Sequence, residues 1–181
     1  MAYGRVESNI MIINEKNFPR SRLLNLAGFL ICIVAMLFAV LYLQGVLALT
    51  PCPLCIIDRV LIMTIAAVFL MAAIHNPARK GQRIYAAINM VLVISALMVA
   101  IRHVWLQYLP ADKVPECGAG LSFMLDVFPL WDVIKKVFTG SGECAAIQWQ
   151  FLGLSIPEQT LLLFLGLLCL VVYQLILKQK E

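Results

Sequence analysis

The chain has 181 residues, of which 62% are hydrophobic and only 13% charged, about half of the roughly 25% usual in a soluble domain. With a mean hydropathy of +0.92 and a net charge of +4, these figures exclude a soluble globular protein, a disordered chain and a nucleic-acid binder. The length fits one domain, and a membrane bundle needs no large aqueous core.

Residues 1–22 read as a cytoplasmic tail carrying Arg5, Lys16, Arg20 and Arg22. Four apolar runs follow. Leu26–Leu43 is the first, and it exceeds the h-region of about 7 to 15 residues of a signal peptide. No A-x-A-like site closes it, so it is expected to be a retained helix. Val60–Ile74 is the second, extended at its start by Cys55-Ile56-Ile57 and interrupted there only by Asp58-Arg59. Ile84–Ile101 is the third, with Asn89 its one strongly polar residue, and Thr160–Leu177 is the fourth. Each is close to the roughly 20 residues that cross a bilayer at about 1.5 Å per residue. Backbone groups in lipid must pair within the segment, so these runs are helices. The predicted fold is an all-α, four-helix transmembrane bundle over residues 23–177, with a short cytoplasmic tail at 178–181.

Lysine and arginine set the orientation. Nine lie in the tails and around Arg79–Arg83; five lie at Arg59, Arg102, Lys113, Lys135 and Lys136. The positive-inside rule places both termini in the cytoplasm and two loops, about 44–54 and 102–159, outside. In the longer loop, Trp131, Ile134 and Phe138 share one helical face and Asp132, Lys135 and Lys136 the other. That pattern predicts a short helix over Leu130–Phe138 lying in the membrane interface. Trp105, Tyr108 and Trp149 suit an aromatic belt at the same level.

Six cysteines carry the remaining signal. Cys32 and Cys169 fall inside apolar runs, where a thiol behaves as a small hydrophobe. Cys52, Cys55, Cys117 and Cys144 all map to the outer face, where thiols oxidise. Four cysteines allow three pairings, and adjacency favours Cys52–Cys55 with Cys117–Cys144. A C-x-x-C bridge closes too small a loop to be mainly a staple. It is redox-active when a thiolate is stabilised. Pro53 suits the first position of the second helix, which puts Cys52 near the N-cap, where free N–H groups and the helix dipole favour a thiolate. Arg59 follows Cys55 by four residues on the same face and could stabilise a Cys55 thiolate or an anionic acceptor; the plainer reading pairs it with Asp58. A four-cysteine metal site is disfavoured, because Cys117 and Cys144 are 27 residues apart and no second C-x-x-C exists. No metal ligand set is expected.

Electrons entering such a disulfide need an acceptor. The chain has no dinucleotide fingerprint and no C-x-x-C-H, so a quinone dissolved in the bilayer is the natural choice. His103, at the outer end of the third run, offers a hydrogen-bond donor or proton source for its oxygen, and Arg102 adjoins it.

Three segments resemble the bacterial disulfide bond formation protein B (DsbB) family. They are Pro51-Cys52-Pro53-Leu54-Cys55-Ile56-Ile57-Asp58-Arg59, Arg102-His103-Val104-Trp105-Leu106-Gln107, and the stretch from Gly142 to Leu154 around Cys144. The resemblance implies a membrane dithiol:quinone oxidoreductase that reoxidises a periplasmic DsbA-like thiol oxidase and reduces ubiquinone or menaquinone. By motif match it implies that the partner attacks Cys117, that Cys144 is the disulfide mate of Cys117, and that Cys144 then attacks Cys52. Cys55 is released as the thiolate facing the quinone, with Arg59 and His103 in quinone binding. A simple N-cap argument instead favours Cys52 as the better thiolate. Two other readings stand beside this one: a vitamin K epoxide reductase-like enzyme, and a non-catalytic membrane protein braced by disulfides.

Overall fold

The computed structural model describes residues 20–110 and 142–176, together with Lys113, Pro129, Trp131 and Asp132. Cys117 lies outside the described residues, as does all of the expected interfacial helix over Leu130–Phe138 apart from Trp131 and Asp132. Four long helices form the bundle: α1 (Arg20–Leu37), α2 (Pro53–His75), α3 (Arg79–Gln107) and α5 (Ile156–Ile176). A short helix, α4 (Gly142–Ala145), and a hairpin of β1 (Gln150–Phe151) and β2 (Leu154–Ser155) stand before α5. Helix α1 continues as a π-helix over Phe38–Val46, so the first apolar stretch runs for 27 residues. With α1 counted together with its π-helical continuation, all four spans are long and apolar enough to cross a membrane; the shortest, α5, has 21 residues, or about 32 Å at 1.5 Å per residue. The protein is a multi-pass, four-helix membrane protein.

The expected outer loops shrink at their helical ends. The π-helix carries the first helix to Val46, and α3 continues to Gln107, so Arg102 and His103 sit within a helix rather than beyond its end.

Local chemistry fixes the helix ends. Cys52 caps α2, its sulfur accepting from the Cys55 N–H at 3.3 Å, and Pro53 occupies the first turn where no N–H is needed. At the other end Asn76 adopts φ 39° and ψ 53°, a left-handed cap that asparagine tolerates, and Pro77 prevents continuation. Helix α3 begins directly at Arg79, making a tight turn between antiparallel neighbours. Ser155-Ile156-Pro157-Glu158 forms the reciprocal half of a capping box on α5: Glu158 Oε2 accepts from the Ser155 N–H at 2.7 Å.

Helix α1 packs along α2, α2 along α3, and α3 along α5, whereas α5 meets α1 only lightly. The core between them holds Cys32, Ile65, Phe69, Val93, Phe164 and Val171. Cys32 is buried there as a small hydrophobe, as expected, while Cys169 is exposed on the outer surface of α5. Val34, Val60, Val91, Met98 and Leu162 face outward, as lipid-facing residues should. Toward the end opposite the C-x-x-C, Asn25 donates to Gln82 Oε1 at 3.0 Å, and Gln174 donates to Asn25 Oδ1 at 3.1 Å. This chain of amides ties α1, α3 and α5, each bond being worth about 0.6 kcal/mol on average among membrane helices.

Gly28 allows the close approach of α1 to α2. A Cβ there would meet three ring carbons of Phe69 at 2.8–2.9 Å, and Phe69 is fully buried. Gly28→Ala is therefore expected to destabilise the bundle by about 1–3 kcal/mol, as overpacked cores do. Thermal unfolding in detergent checks this. Adding Phe69→Leu should recover most of the loss, and additive effects would show that the ring is not the obstacle.

Candidate functional site

Cap geometry brings the C-x-x-C together at the start of α2. Cys52 Sγ and Cys55 Sγ are 2.9 Å apart, both as thiols, with Cys52 donating toward Cys55. Helix α4 delivers Cys144 to the other side of Cys52, and α3 delivers His103. The sulfurs of Cys52 and Cys144 and a ring nitrogen of His103 all lie within 4.8 Å of one another, and all three residues are buried. Cys52, Leu54, Val99, Leu106 and Cys144 form a small apolar cluster around them.

The surroundings distinguish the two cysteines of the motif. Cys52 hydrogen-bonds with the Cys144 and Cys55 sulfurs and is buried; these neighbours hold its thiol protonated, above the ordinary cysteine range. The N-cap position alone favoured Cys52. What it omitted is a second and a third sulfur packed against the first. Cys55 accepts from Cys52, the arrangement that suits a sulfur carrying negative charge.

His103 bridges two partners. Its Nε2 lies 3.5 Å from Cys52 Sγ, and its Nδ1 lies 3.9 Å from Asp58 Oδ2. Among the described residues Asp58 pairs with His103, not with the adjacent Arg59. The sequence placed Asp58 only as a neighbour of Arg59 and missed this role. The available signal was a carboxylate inside a spanning helix, which is costly unless it serves a site.

Arg59 instead faces a cavity of about 250 Å³. Cys55, Asp58, Arg59 and His103 line its polar end, and Met36, Phe38, Leu43, Leu163 and Phe164 contribute to its apolar wall. The cavity lies among α1, α2 and α5, where α1 and α5 meet only lightly. Trp149 walls it near the end of the bundle that carries the C-x-x-C: its ring centroid is 6.0 Å from Phe38, 6.2 Å from Tyr42 and 6.0 Å from Phe151. The belt reading of Trp149 did not anticipate this wall role. The β1–β2 hairpin holds Trp149 in place with a two-residue turn in which Leu152 (φ 54°) and Gly153 (φ 80°) are both left-handed. Ser155 Oγ donates to Gln107 Oε1 at 2.7 Å, and Tyr108 Oη donates to Glu158 Oε1 at 2.7 Å, fastening the hairpin and α5 to the end of α3. The Glu158 carboxylate keeps the Tyr108 phenol above its usual range. Arg102 stacks over the Trp105 ring at 4.2 Å, a contact at the outer end of α3.

Five of the six residues singled out in the sequence thus meet at one place. Cys52, Cys55, Cys144 and His103 cluster, Arg59 joins Cys55 on the cavity wall, and Cys117 lies outside the described residues.

Comparison with known proteins agrees with this layout. Residues 21–174 match the family model described as disulfide bond formation protein DsbB. Relatives named disulfide bond formation protein B include those of Nitrosococcus oceani, Methylococcus capsulatus and Psychrobacter sp. The first is 52% identical over 145 residues, covering 79% of this chain and 85% of the relative. The second is 48% identical over 149 residues (82% and 90%), and the third 46% over 162 residues (87% and 95%). With its bundle, its C-x-x-C cap and nearly its whole membrane portion accounted for by that match, the chain belongs to the DsbB family of membrane disulfide bond formation proteins.

Proposed function

We propose that the protein is a dithiol:quinone oxidoreductase of the bacterial inner membrane, with both termini cytoplasmic, that reoxidises a periplasmic DsbA-like thiol oxidase. The observation that carries the reading is a series of sulfurs ending at a cavity. Cys144 approaches Cys52, Cys52 touches Cys55, and Cys55 lines the space between α1 and α5.

In the resting protein Cys52 pairs with Cys55 and Cys117 with Cys144. A partner thiolate attacks Cys117 and releases Cys144; its second thiol resolves the mixed disulfide and leaves as oxidised partner. The Cys144 thiolate attacks Cys52, forming a Cys52–Cys144 bond and breaking Cys52–Cys55. Cys55 departs as a thiolate on the cavity wall. Cys117 then attacks Cys144 and restores its bond, returning the electron pair to Cys52 and Cys55. Two electrons and two protons leave the partner dithiol, and a quinone bound in the cavity takes up two electrons and two protons. Only thiolates attack, so residues that hold negative charge on sulfur govern the rate.

The cavity fits a quinone ring by its chemistry. It is largely apolar, it is lined from α1 and α5, whose light packing would admit a lipid-soluble molecule, and Arg59 and His103 line it as donors. Arg59 would balance charge at Cys55. Asp58 orients His103 and stabilises it when protonated, leaving Nε2 on the sulfur side. Trp149, Phe38 and Tyr42 exclude water from the outer side.

Membership of the family replaces the vitamin K epoxide reductase-like and non-catalytic readings. The test is quinone reduction by purified protein supplied with a reduced thioredoxin-fold thiol oxidase. One quinone should be consumed for each partner disulfide formed. Partner oxidation without quinone loss, or no oxidation at all, overturns the assignment.

A further inference from the structure

The cluster of Cys52, His103 and Cys144 has a second chemical capacity. We propose that the fully reduced protein binds one zinc ion through Cys52 Sγ, Cys144 Sγ and His103 Nε2, and that occupancy withdraws Cys52 and Cys144 from disulfide exchange. This goes beyond the quinone reading and does not depend on it.

The three donor atoms lie close enough together for one tetrahedral ion to collect them. Zinc–sulfur and zinc–nitrogen bonds of about 2.3 and 2.0–2.1 Å put ligand atoms about 3.6 Å apart for S···N and about 3.8 Å apart for S···S. Cys52 Sγ and His103 Nε2 are 3.5 Å apart, and all three ligand atoms fall within 4.8 Å. Each ligand comes from a different place in the fold: the cap of α2, the body of α3 and α4. All three are buried.

An outer partner for the imidazole is already present. A zinc-bound histidine usually directs its other nitrogen to a carboxylate, which fixes the ring and raises its basicity. Here Nδ1 faces Asp58 Oδ2 at 3.9 Å. His103 Nδ1 is also a buried polar atom that makes no hydrogen bond among the described residues, so tightening of its contact with Asp58 Oδ2 on metal binding satisfies it. Charge balances as well. Two thiols lose their protons to water, two S–Zn bonds form, and the dication meets two thiolates and a neutral ring, which suits a buried site near the membrane boundary. The fourth position stays open to water, as in three-ligand zinc sites. The spacing argument against a four-cysteine site does not apply, because histidine and water take the places of two of the cysteines.

Redox state decides access. Any disulfide at Cys52 or Cys144 removes a ligand, so the oxidised protein has no site and the ion is held only when both sulfurs are reduced.

Cobalt(II), whose tetrahedral thiolate complexes absorb in the visible and near ultraviolet, is the probe. It is added to the full chain in detergent after reduction with a phosphine, without quinone or partner. About one ion per chain is expected, displaced by zinc. Cys52→Ser and Cys144→Ser should each abolish the thiolate bands, and His103→Gln should weaken binding sharply. Asp58→Asn should weaken it about 10- to 100-fold. Cys117→Ser and Cys55→Ser should retain it. In the unmutated chain, oxidation must erase the bands and renewed reduction restore them, a comparison that no folding defect can imitate. No thiolate bands in the reduced chain, bands that survive Cys52→Ser or Cys144→Ser, or bands lost in Cys117→Ser or Cys55→Ser would overturn the site.

Discussion

Cys55→Ser is expected to reduce quinone reduction to background while leaving the encounter with the reduced partner intact. Serine cannot form the bond to Cys52 and cannot leave as a thiolate, so the sulfur series ends one step short of the cavity. Cys52→Ser should have the same end result, since Cys52 is the sulfur that touches both Cys144 and Cys55. Cys117→Ser should fail earlier, at reception of electrons from the partner. The three variants are separable by two measurements: quinone absorbance after mixing with reduced partner, and non-reducing gels for the mixed disulfide. Cys55→Ser should still trap partner through Cys117, and Cys117→Ser should not. Normal quinone turnover in Cys55→Ser would contradict the assignment of the cavity-facing sulfur.

Arg59→Ala is expected to raise the apparent KM for quinone and slow its reduction by about tenfold or more. A loss of about 1.4 kcal/mol of stabilisation already gives that factor. The guanidinium stays charged at any ordinary pH and lines the same wall as Cys55, where water is scarce and charges interact strongly. Its removal should spare the fold. Among the described residues the ion pair of Asp58 is with His103, so deleting Arg59 strands no buried carboxylate. Arg59→Lys should recover part of the activity, because a point charge replaces a planar fork. Steady-state quinone reduction in detergent measures this, and an Arg59→Ala enzyme with unchanged kcat and KM would reduce the arginine to a membrane anchor.

The spanning helices were legible because lipid enforces them: each is an apolar run whose length is dictated by the bilayer. The start of α2 was legible for a local reason, since Pro53 and the preceding Cys52 suffice to write the cap. Contacts made across the bundle were not. Nothing in the sequence around Asp58 says that its partner is a histidine 45 positions away on α3 rather than the arginine beside it. Cys52 shows the same limit. Its cap position is local and predicts a stabilised thiolate, but Cys144, brought in by α4, reverses the outcome. The β1–β2 hairpin was missed because its strands are two residues each and one turn residue, Leu152, is of a type that rarely adopts a positive φ.

The π-helix at Phe38–Val46 bears on which changes of length the first outer segment tolerates. A π-turn closes over one residue more than an α-turn, so this stretch holds surplus chain wound into the helix. Deleting a single residue here lets the backbone relax to ordinary α geometry, which makes the deletion easy for the helix itself. A residue inserted before Leu43 has no such slack to absorb it, and every side chain beyond it turns by about 100° around the axis. Leu43 would swing off the cavity wall, and the short connection to Cys52 would start from the wrong side of the helix. A lengthened chain of this kind should insert and fold as a bundle yet carry a misaligned redox motif, so helix content and oxidase activity would part company in the same molecule.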